Sequence, residues 1–129
     1  MENRDSSFRR RLLIESLTVL AADAQTQAAW LDRYGVMTDE IALDFDHAFR
    51  MTEALAAEGH LAEGITADLQ EIDMILSRMS DGDNADRWTR DALSTDEEGW
   101  GRARRLARRL LVAELGGWQQ PLPEIKVVR

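Results

Sequence analysis

Residues 38–59, TDEIALDFDHAFRMTEALAAEG, hold the stretch around which the other segments are expected to pack. Ile41, Phe45, Ala48, Phe49, Thr52 and Ala56 recur at the three- and four-residue spacing of one helix face. Leu43, Met51, Ala54 and Leu55 fall on the other side. A helix apolar on two faces is normally buried between neighbours. The stretch therefore predicts a central helix, capped by Thr38, with Asp39 and Glu40 at the positive end of its dipole. Gly59 ends it.

Towards the N-terminus, a short helix carries Ala28, Trp30, Leu31 and Tyr34. Asp23 is its candidate cap, and Gly35 closes it in the left-handed conformation that other residues resist. Before it, Asp5, Ser6 and Ser7 offer caps for a helix from about Phe8 to Ala22. Phe8, Leu12, Leu13, Ile14, Leu17, Val19 and Leu20 cover a wide arc there, leaving Arg11, Glu15 and Thr18 for water. Arg9, Arg10 and Arg11 would sit in the first turn, where the dipole disfavours cations. That placement points to a carboxylate partner.

Towards the C-terminus, Ile65, Leu69, Ile72, Leu76 and Met79 form a narrow stripe, with Ile75 at its edge, opposite Gln70, Asp73 and Ser77. This helix starts between Leu61 and Thr66 and is broken by SDGDN, residues 80–84. A short helical piece over 85–93 holds Trp88. Thr95, Asp96, Glu97 and Glu98 match the capping box, with Thr95 as cap. The last helix runs to about Leu115, with Trp100, Ala103, Leu106, Ala107, Leu110 and Leu111 on its apolar face. Arg102, Arg104, Arg105, Arg108 and Arg109 lie on the other. After Gly116 and Gly117, the two prolines of WQQPLPEIKVVR forbid a helix. The fold expected is all-α, a single-domain helical bundle of about five helices over 8–115, with an extended tail over 116–129.

At 129 residues, 44% apolar and 31% charged, the chain fits one globular domain. The absence of cysteine excludes disulfides and thiolate chemistry. The polar opening MENRDSSFRRR has no secretory h-region, and no apolar run approaches the roughly 18 residues needed to span a bilayer. A cytoplasmic protein is expected. The net charge of −8 is unevenly placed: within 12–86 the only basic residues are Arg33, Arg50 and Arg78. Such asymmetry can steer a charged partner or be internal complementarity, with a basic helix along an acidic body.

Glu40, Asp44 and His47, at i, i+4 and i+7, share a helical face. Carboxylates with an imidazole can ligate Mg²⁺, Mn²⁺ or Zn²⁺; the simpler reading is a histidine hydrogen-bonded by Asp44. A di-iron bundle needs a second carboxylate-x-x-His unit, and His60 has Ala57 three residues before it. Asp68-x-x-Glu71 and Asp83-x-x-Asp86 partly resemble the paired carboxylates by which all-α nucleotide pyrophosphohydrolases hold Mg²⁺. No nucleophile elbow and no phosphate-cradling glycine loop is present. The five arginines of the last helix could grip phosphates, but the negative net charge and the lack of interleaved aromatics argue against nucleic acid. A solvated or internally paired arginine face is expected instead. Of the four tryptophans, Trp118 lies beyond a Gly-Gly stop and is the one expected to be exposed. With Ile125 it marks an association surface, and a homodimer through the tail follows.

DEIALDFDHAF (39–49) and NADRWT (84–89) resemble segments of small uncharacterised bacterial α-helical proteins, over about residues 12–115. The resemblance implies a helical fold and no particular chemistry. The expected function is a non-enzymatic protein-binding module without a cofactor. One version is an immunity- or antitoxin-like inhibitor offering carboxylates to a basic toxin. Trp118, Ile125, Arg105 and Arg109 are its candidate interaction residues. The alternative is a metal-dependent hydrolase in which Glu40, Asp44 and His47 hold Mg²⁺ or Mn²⁺.

Overall fold

The wide apolar arc of the first helix buries Leu13, Leu17, Leu20 and Ala21 completely, and this helix, α1 (Glu2–Ala21), is the element on which the others assemble. The computed structural model describes residues 2–52, 64–81 and 85–123. Within them follow α2 (Ala24–Tyr34), α3 (Glu40–Arg50), α4 (Ile65–Ser80), a 3₁₀ turn (Ala85–Trp88), α5 (Arg90–Thr95), a π turn (Glu97–Gly101) and α6 (Arg102–Leu115). No strand occurs among the described residues, and the fold is an all-α bundle. The most extensive helix pairing is α1 with α6; α3 lies against α1, and α4 against α6. Ala103 and Ala107 are fully buried, and such short side chains let α6 approach its neighbours closely.

The stripes of α4 and α6 are buried as their spacing predicts. The stretch around Phe45 departs from expectation. Ile41, Phe45 and Ala48 enter the core, but Leu43, on the side expected to be buried as well, is 58% exposed. The hub is α1 with α6, and α3 is a flanking helix that meets α4 only lightly. Residues 53–63, with Ala54, Leu55, Ala56, Gly59 and His60, lie outside the described residues.

Capping also differs. Thr38 is buried and its hydroxyl accepts from Arg90, which also donates to Val36 O at 2.8 Å and Asp32 Oδ1 at 3.1 Å. The loop into α3 is thereby tied to α5, and Asp39 occupies the cap position of α3. Asp23 precedes α2 without a side-chain cap bond, its carboxylate being taken by Arg108. Thr95 belongs to α5, where its hydroxyl donates to Asp91 O; Asp96 makes the cap, accepting from the Gly99 N–H at 2.9 Å. The Gly101 N–H then reaches Asp96 O at 2.9 Å, the i+5 bond of the π turn. A side chain at Gly99 would put a Cβ 2.3 Å from Asp96 Oδ2, so only glycine fits under this cap.

Gly35 closes α2 at φ 63°, with the Val36 N–H bonded to Leu31 O and its own to Asp32 O, the paired bonds of a Schellman stop. Because α1 begins at Glu2, Arg10 lies beyond the first turn; it finds the carboxylate partner expected of the cluster in Glu114 of α6, at 3.0 Å. Thr18, expected in water, is buried with its hydroxyl on Ile14 O. After Gly116 the chain has no regular secondary structure to Pro123 and returns over the bundle, where the Trp30 indole N–H donates to Pro123 O at 2.9 Å. Trp118 is half-buried, its ring 3.8 Å from the Arg108 guanidinium, and so is not the exposed anchor expected of it. Ile125 lies outside the described residues.

Candidate protein-binding face

The five arginines of α6 each find partners within the molecule, Arg104 and Arg108 half-buried and Arg102, Arg105 and Arg109 at the surface. Arg104 donates to Ala22 O at 2.9 Å, to Gln27 Oε1 at 2.8 Å and to Leu93 O at 2.8 Å. Arg108 donates to Ala21 O and Asp23, at 2.8 and 2.9 Å. Two guanidinium groups thus satisfy carbonyls at the C-terminus of α1, which would otherwise lack partners and sits at the negative end of its dipole. Gln27, 1% exposed, completes the knot by donating to Val19 O and Leu20 O. Desolvation lowers the Arg104 pKa from its ordinary value, and Arg108 beside it lowers it further. Arg109 makes a two-pronged bond to Asp68, at 2.7 and 3.0 Å; Arg102 pairs with Glu71 and Arg105 with Glu97.

These pairings also bear on the carboxylates. Asp68 and Glu71, half of the pyrophosphohydrolase-like pattern, are each engaged by an arginine; Asp83 lies outside the described residues, and Asp86 is exposed. Glu40, Asp44 and His47 share one side of α3, yet no group of three or more His, Asp or Glu among the described residues could hold a metal ion. Packing around the Asp44 carboxyl, then the charge and the carboxyl group of Glu40 one turn before it, push its pKa up to about 6, with His47 pulling the other way.

The surface not matched in this way lies where α3 diverges from α4. A depression of about 320 Å³ opens there above the buried Phe45 and Leu76, with Ala42 and Trp88 partly exposed in it and Asp39, Asp46 and Asp73 at its edge. A second hollow, of about 670 Å³, continues past Asp46 and Asp73 to Phe49, Thr52 and Thr66. The two share both aspartates and form one groove along α3. Leu43 stands exposed on its rim. Asp46 pairs with Arg50 at 3.0 Å, one turn on. Partial burial, and next the charge of Asp46, raise the Asp73 pKa from its ordinary value; Arg50 opposes them. Trp88 is held by its indole N–H on Met79 O and by an edge contact with Trp100 at 5.6 Å.

No family model, curated protein or solved structure matches the chain. The reading therefore rests on the geometry. No helix among the described residues is long and apolar enough to cross a membrane.

Asp73, expected opposite the apolar stripe of its helix, lies at the edge of this groove, and Trp88 packs half-buried against the core beside it. The signal available was the spacing of Asp39, Ala42, Leu43 and Asp46, which alternates acid and apolar groups on one face. On α4, Thr66, Gln70, Asp73, Ser77 and Ser80 repeat at the same spacing. Arg105 and Arg109 keep exposed side chains, but both are spoken for by carboxylates within the chain.

Proposed function

We propose that the chain is a small non-enzymatic protein-binding module that takes a basic protein partner, in the manner of an immunity- or antitoxin-like inhibitor. The observation that carries this reading is the one-sided use of charge. All five arginines of α6 are engaged inside the molecule, so the outward excess at net charge −8 is carboxylate. An acidic surface speeds encounter with a basic partner and selects against acidic ones.

The test is capture of the partner from the cells that make the chain, followed by reconstitution from the two purified proteins. A partner with a basic binding surface is expected, with an association rate that falls steeply between roughly 0.05 and 0.5 M salt. Where the partner is toxic, co-expression should restore growth. A partner with an acidic surface, or an association indifferent to salt, refutes the reading.

A further inference from the structure

We infer that the α3–α4 groove seats a basic amphipathic segment of the partner, with an apolar side chain against Ala42, Leu43 and Trp88 and a cation beside Asp46 and Asp73. This inference rests on the proposed function and adds its place and ligand chemistry. Shape and charge point to the same occupant. Ala42, Leu43 and Trp88 give the groove apolar surface that a purely polar basic chain leaves unused, while Asp39, Asp46 and Asp73 line it against Arg50, the one cation among the described lining residues. A neutral apolar helix would force those carboxylates out of water without compensation. A segment bearing lysine or arginine beside leucine satisfies both. Asp73 is already partly desolvated beside Asp46, and a cation placed there offsets the repulsion between the two carboxylates. The eleven residues of α3 span about 16 Å at 1.5 Å per residue, which suits about three turns of a bound helix. Leu43, exposed on the rim, supplies the apolar flank that such a helix would cover.

The probe is a synthetic fourteen-residue helix-forming peptide (a chosen length of about four turns) with leucines at helical spacing and lysines between them. Two matched peptides replace the lysines with glutamate or the leucines with serine. Binding to the full chain is followed by amide and indole shifts in NMR. The Leu/Lys peptide should move the signals of Ala42, Leu43, Asp46, Asp73 and Ser77 and the Trp88 indole, and should bind more tightly than either control. Asp46→Asn with Asp73→Asn should weaken it about ten-fold. Glu40→Gln with Asp44→Asn removes as much charge on another side of α3 and should leave the affinity unchanged. Equal weakening by the two double variants, or shifts confined to other surfaces, overturns the groove while the acidic-module reading stands. If neither the peptide nor any basic protein binds, both fall. The melting temperature of each variant keeps a loss of binding distinct from a loss of fold.

Discussion

Arg104→Met removes the guanidinium that ties α6 to α1, α2 and α5 while keeping an apolar stem of similar length. Three acceptors lose their donor: Ala22 O, Gln27 Oε1 and Leu93 O, bonded at 2.9, 2.8 and 2.8 Å. Gln27 and Leu93 are each 1% exposed and Ala22 7%, so water has poor access to replace it. A buried acceptor left unpaired costs about 1–3 kcal/mol. Against this stands relief of a partly buried cation, which already feels desolvation and the charge of Arg108. Taking the middle of the range three times and subtracting a few kcal/mol for that relief leaves a net loss of about 3–4 kcal/mol. That is a large part of a typical stability of about 5–15 kcal/mol. Urea denaturation followed by circular dichroism at pH 7 measures it, with an unchanged slope showing that the unfolded state is not what moved. Arg104→Lys keeps the charge but loses the planar fork, and should fall between. Arg105→Gln is the control, because its pair with Glu97 is 3.4 Å long with side chains 63% and 77% exposed, and should cost under about 1 kcal/mol. A loss below about 1 kcal/mol for Arg104→Met, no larger than the control, would refute the idea that neutral carbonyls and Gln27 hold this arginine usefully.

Three further outcomes follow from the same structure. Phe45→Ala should cost about 2–5 kcal/mol in the same urea assay, since its ring is fully buried and stacked 5.6 Å from Phe49; an unchanged midpoint would show that α3 does not seat in the core. Asp44→Asn should raise stability at pH 8 and leave it unchanged at pH 4. The folded Asp44 holds its proton up to about 6 and the unfolded one only to about 4, so stability falls as pH rises through that window. The residue is exposed, so the gain should stay below about 1 kcal/mol; a loss at pH 8 would contradict the sign. Truncation after Gly116 removes both the Trp118 ring beneath Arg108 and the acceptor of the Trp30 indole, and should lower stability by about 1–3 kcal/mol. A truncated chain that melts where the full one does would mean the tail's contacts contribute nothing.

What could be read in the residues, and what could not, divides along the range of the interaction. The stripes of α4 and α6 were legible because burial at helical spacing is a local pattern, and Gly35 because its left-handed stop depends on its own backbone. The pairing of the α6 arginines was legible as a class, from the uneven charge, but their acceptors were not. Gln27 and Thr38 became buried acceptors only because arginines 77 and 52 residues away reach them, and nothing in their neighbours announces that. Leu43 was misread for the same reason. Whether the second apolar side of a helix is buried depends on which neighbour arrives, and α3 settles chiefly on α1 and only lightly on α4. Thr95 and Asp96 are both good caps on paper; the choice fell to Asp96 because the Thr95 hydroxyl turns back to Asp91. The exposure of Leu43 and the internal pairing of the α6 arginines lead to one place. Where α3 fails to close on α4, the apolar side chains meant for a neighbour lie beside aspartates, and α6 sends them no arginine. An acidic groove with apolar side chains along it is what that combination leaves, and it is there that we place the proposed basic amphipathic segment.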